Sequence, residues 1–304
     1  MTLEFRRNTV LKFYKLNIED KSYFEKYINE YEFNSCEYCF ANLYLWRNAC
    51  EIEYAEFENC IIIKKKNFEG KTYFMQPLGY KKDNLRVVVE QLKRYKIEHN
   101  MDYLFADLEK FFVDDLLNCY NNDLEILEDR NNFDYIYNTK DLVNLSGKKL
   151  HNKKNHYNQF IKGYNYTLKA LNEQTITDCL LLEKKWLENV NEKDNFLNHE
   201  YEGIKDLLIN FDKLQLKGMA VCVENKVIAF TIGEKINAKT AIIHIEKADP
   251  SYNGIYAFIN KTFVEKYFNE VPSINREQDL GKEGLIKAKQ SYKPFEFVEK
   301  YMVF

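Results

Sequence analysis

The sequence predicts an α/β protein of two domains, each built on a mixed sheet flanked by helices. Three observations lead there. The chain has 304 residues, and at ~100 to 200 residues per domain that length favours two cores over one. Hydrophobic residues make up 45% of it, charged residues 30% and aromatics 15%, a composition that excludes disorder. Finally, apolar periodicity repeats one order of elements twice: helix, helix, three strands, helix, strand, helix, strand.

In the first half, residues 19–31 predict a helix with Tyr23, Tyr27 and Ile28 on one face, and 38–47 a short second helix. Strands follow at 51–57, 60–65 and 72–78. Asp83 suits the N-cap of a helix running to 98, since its carboxylate can accept from first-turn N–H groups. Leu85, Val88, Val89, Leu92 and Ile97 form the apolar stripe of that helix. A strand at 102–106, a short helix at 109–118 and strands near 124–127 and 133–137 complete the half.

A basic helix over 147–162 leads into the second half. Strand 164–170 precedes a helix at 175–190, whose inward face includes Ile176, Cys179, Leu180, Leu182, Leu187 and Val190, and then a helix near 200–211. Strands 219–223 and 227–236 flank the hairpin turn Glu224-Asn225-Lys226, and a third strand covers 240–246. A helix at 254–268, a strand at 273–275, a helix near 283–290 and a last strand at 295–303 follow. This order divides the chain into an N-terminal domain, 1–140, and a C-terminal domain, 141–304. The first carries 20 basic and 25 acidic side chains, the second 24 and 22. No acidic residue lies between Leu142 and Asn172, where six lysines do. No Pro/Gly/Ser linker separates the halves, so they are expected to pack together.

The net charge of −3 argues against a surface built wholly for nucleic acid or anionic lipid. Arg6 and Arg7 lead into no apolar run, and no stretch approaches the roughly 18 apolar residues of a membrane span. A cytoplasmic protein is expected, its seven cysteines reduced.

Two stretches carry a specific resemblance. Asp134 to Phe160 reads DYIYNTKDLVNLSGKKLHNKKNHYNQF, and Ile274 to Pro294 reads INREQDLGKEGLIKAKQSYKP; Ser35 to Arg47, SCEYCFANLYLWR, supports them. On these residues the chain resembles the family of phosphatidylglycerol lysyltransferase C-terminal domains, tandem GNAT proteins related to Fem-type aminoacyltransferases. The resemblance implies two tandem GNAT-like domains. It also implies direct transfer of an acyl group to an amine or hydroxyl, with acyl-CoA or aminoacyl-tRNA as donor.

Asn275, Arg276, Glu277 and Asp279 come at a strand end, where ligands bind in open α/β sheets. Lys287, Lys289 and Tyr292 follow. Arg276 has the planar fork to clamp a phosphate or carboxylate, and Asn275, Glu277, Asp279, Lys287 and Lys289 are the accompanying substrate-binding candidates. The competing reading is an internal ion-pair network that fixes the loop. Glu246 ends the third strand of its half. An ammonium is not a nucleophile, so transfer to an amine needs a base. The resemblance makes Glu246 the candidate base, against a solvated strand-end carboxylate, and Tyr292 the candidate proton donor, against a packing tyrosine.

The resemblance further implies a donor loop, Arg/Gln-x-x-Gly-x-Gly/Ala, that cradles the coenzyme A pyrophosphate on N–H groups at a helix start. Here it reads Ser251-Tyr252-Asn253-Gly254-Ile255-Tyr256. Gly254 is kept, but bulky Tyr256 fills the last small position, so coenzyme A is expected to bind weakly and only in the second half. Lys148, Lys153 and Lys154, interleaved with Asn152, Asn155 and Tyr157, suit the phosphates and a stacked base of aminoacyl-tRNA, or else form a solvated face. Cys36-x-x-Cys39 has no second pair, and His151 and His156 are wrongly spaced, so neither predicts a metal site. Two functions stay open: an aminoacyl- or acyltransferase, and a non-catalytic tandem GNAT module that binds a small ligand or partner.

Overall fold

A computed structural model of the protein describes residues 10–121, 124–189 and 195–304; Arg6, Arg7 and Val190 lie outside them. The first half holds β1 (Tyr14–Lys15), α1 (Lys21–Ile28), α2 (Phe40–Trp46), β2 (Glu53–Phe57), β3 (Cys60–Lys66), β4 (Thr72–Phe74), α3 (Leu85–Glu98), β5 (Phe105–Leu108), α4 (Lys110–Cys119) and β6 (Ile126–Glu128). Then come β7 (Asp134–Asn138), α5 (Thr139–Asn144), α6 (His151–Gly163), β8 (Tyr166–Ala170), α7 (Glu173–Asn189), α8 (Asn195–Ile209) and α9 (Phe211–Leu214). The chain ends with β9 (Lys217–Val223), β10 (Lys226–Lys235), β11 (Thr240–Ala248), α10 (Ile255–Tyr267), β12 (Ser273–Asn275), α11 (Glu283–Gln290), β13 (Glu296–Val298) and β14 (Tyr301–Val303).

Two seven-stranded mixed sheets result, ordered β1-β2-β3-β4-β5-β14-β6 and β8-β9-β10-β11-β12-β7-β13. In each, an antiparallel run ends in one parallel pair, β4/β5 and β11/β12. The sixth place in each sheet is taken by a strand from the other half. Two strand expectations are corrected here. The strand near 133–137 belongs to the second sheet, and the last strand is two strands divided between the sheets, so sheet membership does not follow a cut at residue 140.

Lys300 explains the division of that last strand. It sits between β13 and β14, fully buried, and its ammonium pairs with Asp134 Oδ1 at 2.8 Å and Glu37 Oε1 at 3.2 Å. Asp134 opens β7, so the two crossing segments meet at this pair, and Asp129 N also donates to the Lys300 carbonyl at 2.9 Å. The network continues through Lys65, which pairs with Glu37 at 2.6 Å and Asp107 at 2.8 Å. Burial works against the Glu37 carboxylate, but Lys65 and Lys300 together hold its pKa down at about 2.

Apolar residues sort into layers. Ile61, Ile63, Phe230, Ile232 and Ile245 face a core shared between the sheets, which α1, α2, α7 and α8 fill. The far side of the first sheet carries α3 and α4 through Val88, Leu92 and Phe112. The far side of the second carries α5, α6 and α10 through Leu142, Phe160 and Phe258. Strands β9 to β11 are therefore covered on both faces, which is why they read as near-continuous apolar runs. The turn at Glu224 and Asn225 has both residues at positive φ, 50° and 63°, as a tight two-residue hairpin requires. Smaller corrections concern ends. Asn84, not Asp83, is the N-cap residue of α3, and α6 starts at His151 after a separate turn, Lys148–Leu150. The helix near 200–211 is α8 followed by α9.

Candidate functional site

The second sheet opens where its parallel pair separates. β11 and β12 pair only over Thr240 to Ile242 against Ser273 to Asn275, while β11 runs on to Ala248. A bulge lies in β11 at His244, since Ile232 opposes Ile245 and Gly233 opposes Ile243. It shifts the alternation of side chains by one. Before it, Ala241 and Ile243 join the core under α10; after it, Ala248 does, and Glu246 points the same way. Without the bulge, Glu246 would point with Ile242 to the opposite side.

Glu246 is held on both oxygens. Arg276 Nη2, just beyond β12, donates to Oε1 at 3.0 Å, and Asn260 Nδ2 on α10 to Oε2 at 2.9 Å. The Arg276 guanidinium carbon lies 4.6 Å from the Tyr292 ring centre and the Lys153 ammonium, from α6, 4.0 Å from it. Glu246, Arg276, Tyr292 and Lys153 line a cavity of about 360 Å³ with Tyr252, Gly254, Tyr256 and His156. Lys289 stands behind it, its ammonium donating to the Arg276 carbonyl.

Electrostatically the cavity is short of negative charge. Burial, reinforced by the Arg276 charge, brings both the Lys153 and the Lys289 ammonium down to a pKa of about 8. Burial also raises the Tyr292 phenol, so that it stays protonated. Arg276 Nη1 and the Tyr292 hydroxyl are buried without a hydrogen bond of full geometry, although the guanidinium and the phenol approach each other closely enough to interact as a weak hydrogen bond. Leaving such groups unpaired costs about 1–3 kcal/mol each, more for a charged one, so the cavity has donors to offer a ligand. A second trough of about 300 Å³ adjoins it, lined by Lys149, Asn152, Lys153, His156, Ser291 and Lys293.

Five of the candidates from sequence thus meet at one cavity: Glu246, Tyr292, Arg276, Lys153 and Gly254. The others go elsewhere. Asn275 is buried and donates at 2.8 Å to both the Asn34 carbonyl and Asp134. Glu277 accepts from His244, and Asp279 accepts from the Tyr135 hydroxyl at 2.6 Å and Gly281 N at 2.7 Å. Lys287 is exposed on α11 beside Glu283, and Lys148 and Lys154 are exposed and not among the cavity-lining residues.

Gly254 has a packing reason of its own. Its φ is +86°, and a Cβ there would lie 2.0 Å from the His156 carbonyl oxygen of α6. Tyr256 donates from its hydroxyl to the Ala248 carbonyl at 3.2 Å and lines the cavity. Asn260 and His156 were not legible as site residues, because their placement depends on α10 and α6 lying side by side. In the first half, Phe105 of β5 and Tyr80 each pack edge-on against Phe112 of α4.

Among the described residues no helix is long and apolar enough to cross a membrane. Residues 28–304 match the family described as "Phosphatidylglycerol lysyltransferase, C-terminal". An uncharacterised protein of Mycoplasmoides gallisepticum is 27% identical over 208 residues, which span 65% of this chain and 66% of its own length. A crystal structure of a conserved protein of unknown function from Bacteroides thetaiotaomicron is 32% identical, with a TM-score of 0.87 over 97% of this chain and 99% of that one. The L-PGS structure from Bacillus licheniformis is 15% identical, with a TM-score of 0.64 over 94% and 91%. The tandem GNAT fold is further shared with FemX, at a TM-score of 0.57, and with a tandem GNAT protein of the clavulanic acid pathway, at 0.50, each 8% identical.

Proposed function

This chain belongs to the family of phosphatidylglycerol lysyltransferase C-terminal domains, and from its cavity we propose that it transfers an aminoacyl group directly to an amine or hydroxyl. One observation carries the reading: a buried guanidinium N–H and a buried phenol without partners, in a cavity with Lys153, Arg276 and a single carboxylate, Glu246, among its described lining residues. An ester carbonyl or phosphate accepts from Arg276, whose charge then stabilises the oxyanion of the tetrahedral intermediate. The acceptor's nitrogen or oxygen attacks the carbonyl carbon, Glu246 takes the proton it sheds, and the acyl–oxygen bond breaks as Tyr292 protonates the leaving oxygen.

Aminoacyl-tRNA is the donor we favour, since the basic trough of Lys149, Lys153 and Lys293 offers its phosphates a path into the cavity. Acyl-CoA is disfavoured by Tyr256 and by α6 packed on Gly254, and acetyl-CoA should bind no better than ~0.1 mM. The second reading, a binding module without catalysis, draws on one feature: both Glu246 oxygens already accept hydrogen bonds. Glu246→Gln separates the two. With labelled aminoacyl-tRNA and pooled amine and hydroxyl acceptors, transfer should fall by about 10² to 10⁴ while donor binding persists. Transfer at the wild-type rate in this variant removes Glu246 as base, and no transfer by the wild type leaves the binding module.

A further inference from the structure

On the face of β11 opposite the cavity, His244 sits fully enclosed among three potential ligands from three parts of the chain. Its Nδ1 lies 2.8 Å from Glu277 Oε1, and its Nε2 lies 3.0 Å from Glu234 Oε1 and 4.0 Å from Cys39 Sγ. Cys39 precedes α2 in the first half and Glu234 is the last residue but one of β10. The donor atoms of Cys39, Glu234 and His244 all fall within 4.8 Å of one another. We propose that Cys39, Glu234 and His244 form a three-ligand site for a zinc-type divalent cation, with Glu277 orienting the histidine.

The donor set fits that ion. A thiolate, an imidazole and a carboxylate suit borderline-soft Zn²⁺, and three protein ligands with an open fourth position are a recurring arrangement. Metal–ligand bonds of ~2.0 to 2.3 Å at tetrahedral angles set N···O and N···S separations of about 3.3 and 3.6 Å. The observed 3.0 and 4.0 Å need shifts of only a few tenths of an ångström, and the sulfur and the Glu234 oxygen, within 4.8 Å of each other, close by up to about an ångström to reach ~3.6 Å. Glu277 on Nδ1 completes a carboxylate–histidine–metal relay, which directs Nε2 at the ion. An apolar wall of Cys36, Ile236 and Ile242 backs Cys39, while Glu234, 18% exposed in its side chain, gives an entry path. An imidazolium shared between the two carboxylates accounts for both short contacts, with the Cys39 thiol donating to the Cys36 carbonyl at 3.2 Å; the cation replaces that thiol proton and draws the sulfur, already on the Nε2 side, into the same site.

Binding displaces the thiol proton and any second proton on the imidazole, so one or two protons are released per ion. The cation would clamp the first half to β10 and β11 at the bulge that aims Glu246. The inference stands apart from the proposed reaction, because none of its ligands lines the cavity.

The test is cobalt titration of the full chain, read by absorption. One equivalent should produce a thiolate-to-cobalt charge-transfer band that one equivalent of Zn²⁺ bleaches. Cys39→Ser should abolish the band, while Cys119→Ser, whose half-buried thiol lies at the end of α4, should keep it. Glu277→Gln should keep the band and weaken zinc about 10- to 100-fold. No band in the wild type, or a band that survives Cys39→Ser, overturns the site. Should Cys39→Ser fail to fold, Glu234→Gln decides: at least tenfold weaker zinc binding supports the site, and unchanged affinity overturns it.

Discussion

Two buried charge clusters in this protein are built on opposite principles. Around Lys300, two lysines face Glu37, Asp107 and Asp134, and every one of these side chains has an ionic partner. Around Arg276, Lys153 is a second cation against the one carboxylate, Glu246, among the cavity's described lining residues, and two polar atoms lack partners. The first is closed and holds the exchanged strands; the second is open and short of an anion. Burial of charge is therefore common to both, and what sets the second apart is its mismatch of charge and its unpaired donors.

The contrast can be broken at several points. The largest effect is expected at the closed cluster, where Lys300→Met strands Asp134 without its cation and leaves Glu37 with Lys65 alone. Urea unfolding should show a loss of about 3–5 kcal/mol; a loss within error would mean the crossover does not depend on this pair. Next is Gly254→Ala, which puts a methyl group against the His156 carbonyl at a left-handed φ. It should cost about 1–3 kcal/mol and widen the gap between α6 and α10. A variant as stable as the wild type would show that α6 does not press on this glycine.

The open cluster should reveal itself in pH. Lys153 and Lys289 have folded pKa values of about 8, below the ~10.4 of an unfolded lysine. The unfolded state thus binds more protons between these values, and their burial penalty, present at neutral pH, fades as pH rises through 8. An anionic ligand prefers both charged. Its affinity should fall above pH 8, and calorimetry in buffers of different ionisation enthalpy should record proton uptake on binding. Affinity flat from pH 7 to 10 would remove both lysines from the site. The smallest effect is expected at Lys287→Ala. Its exposed pair with Glu283 should matter to neither stability nor ligand binding, so any change in affinity would extend the site onto α11.

Much of the fold was legible because the helices carry clear stripes and the central strands are apolar on both faces. What escaped were features set by distant partners. Lys300 and Asp134, 166 residues apart by their numbering, give no local sign that they end one sheet and begin another. The cavity residues Glu246, Arg276 and Tyr292 stood out by chemistry, whereas Asn275, Glu277 and Asp279, equally polar, turn inward to Asp134, His244 and Tyr135. Alternation along a strand cannot foresee the bulge at His244, yet the bulge decides which face Glu246 serves. The pairing of Cys39 with His244 is likewise invisible to spacing rules, because the two lie on different halves of the chain.

The central claim is that Arg276 serves a ligand rather than the fold. The most direct measurement pairs melting temperature with affinity for aminoacyl-tRNA in Arg276→Ala. Because the cavity admits water to Glu246, the melting temperature should change by only a few degrees, while affinity drops about 10- to 100-fold, the loss of a charge-assisted hydrogen bond of ~1.5–3 kcal/mol. A sharp fall in melting temperature with affinity unchanged would contradict the claim and make the Arg276 cluster a second structural network, like the one around Lys300.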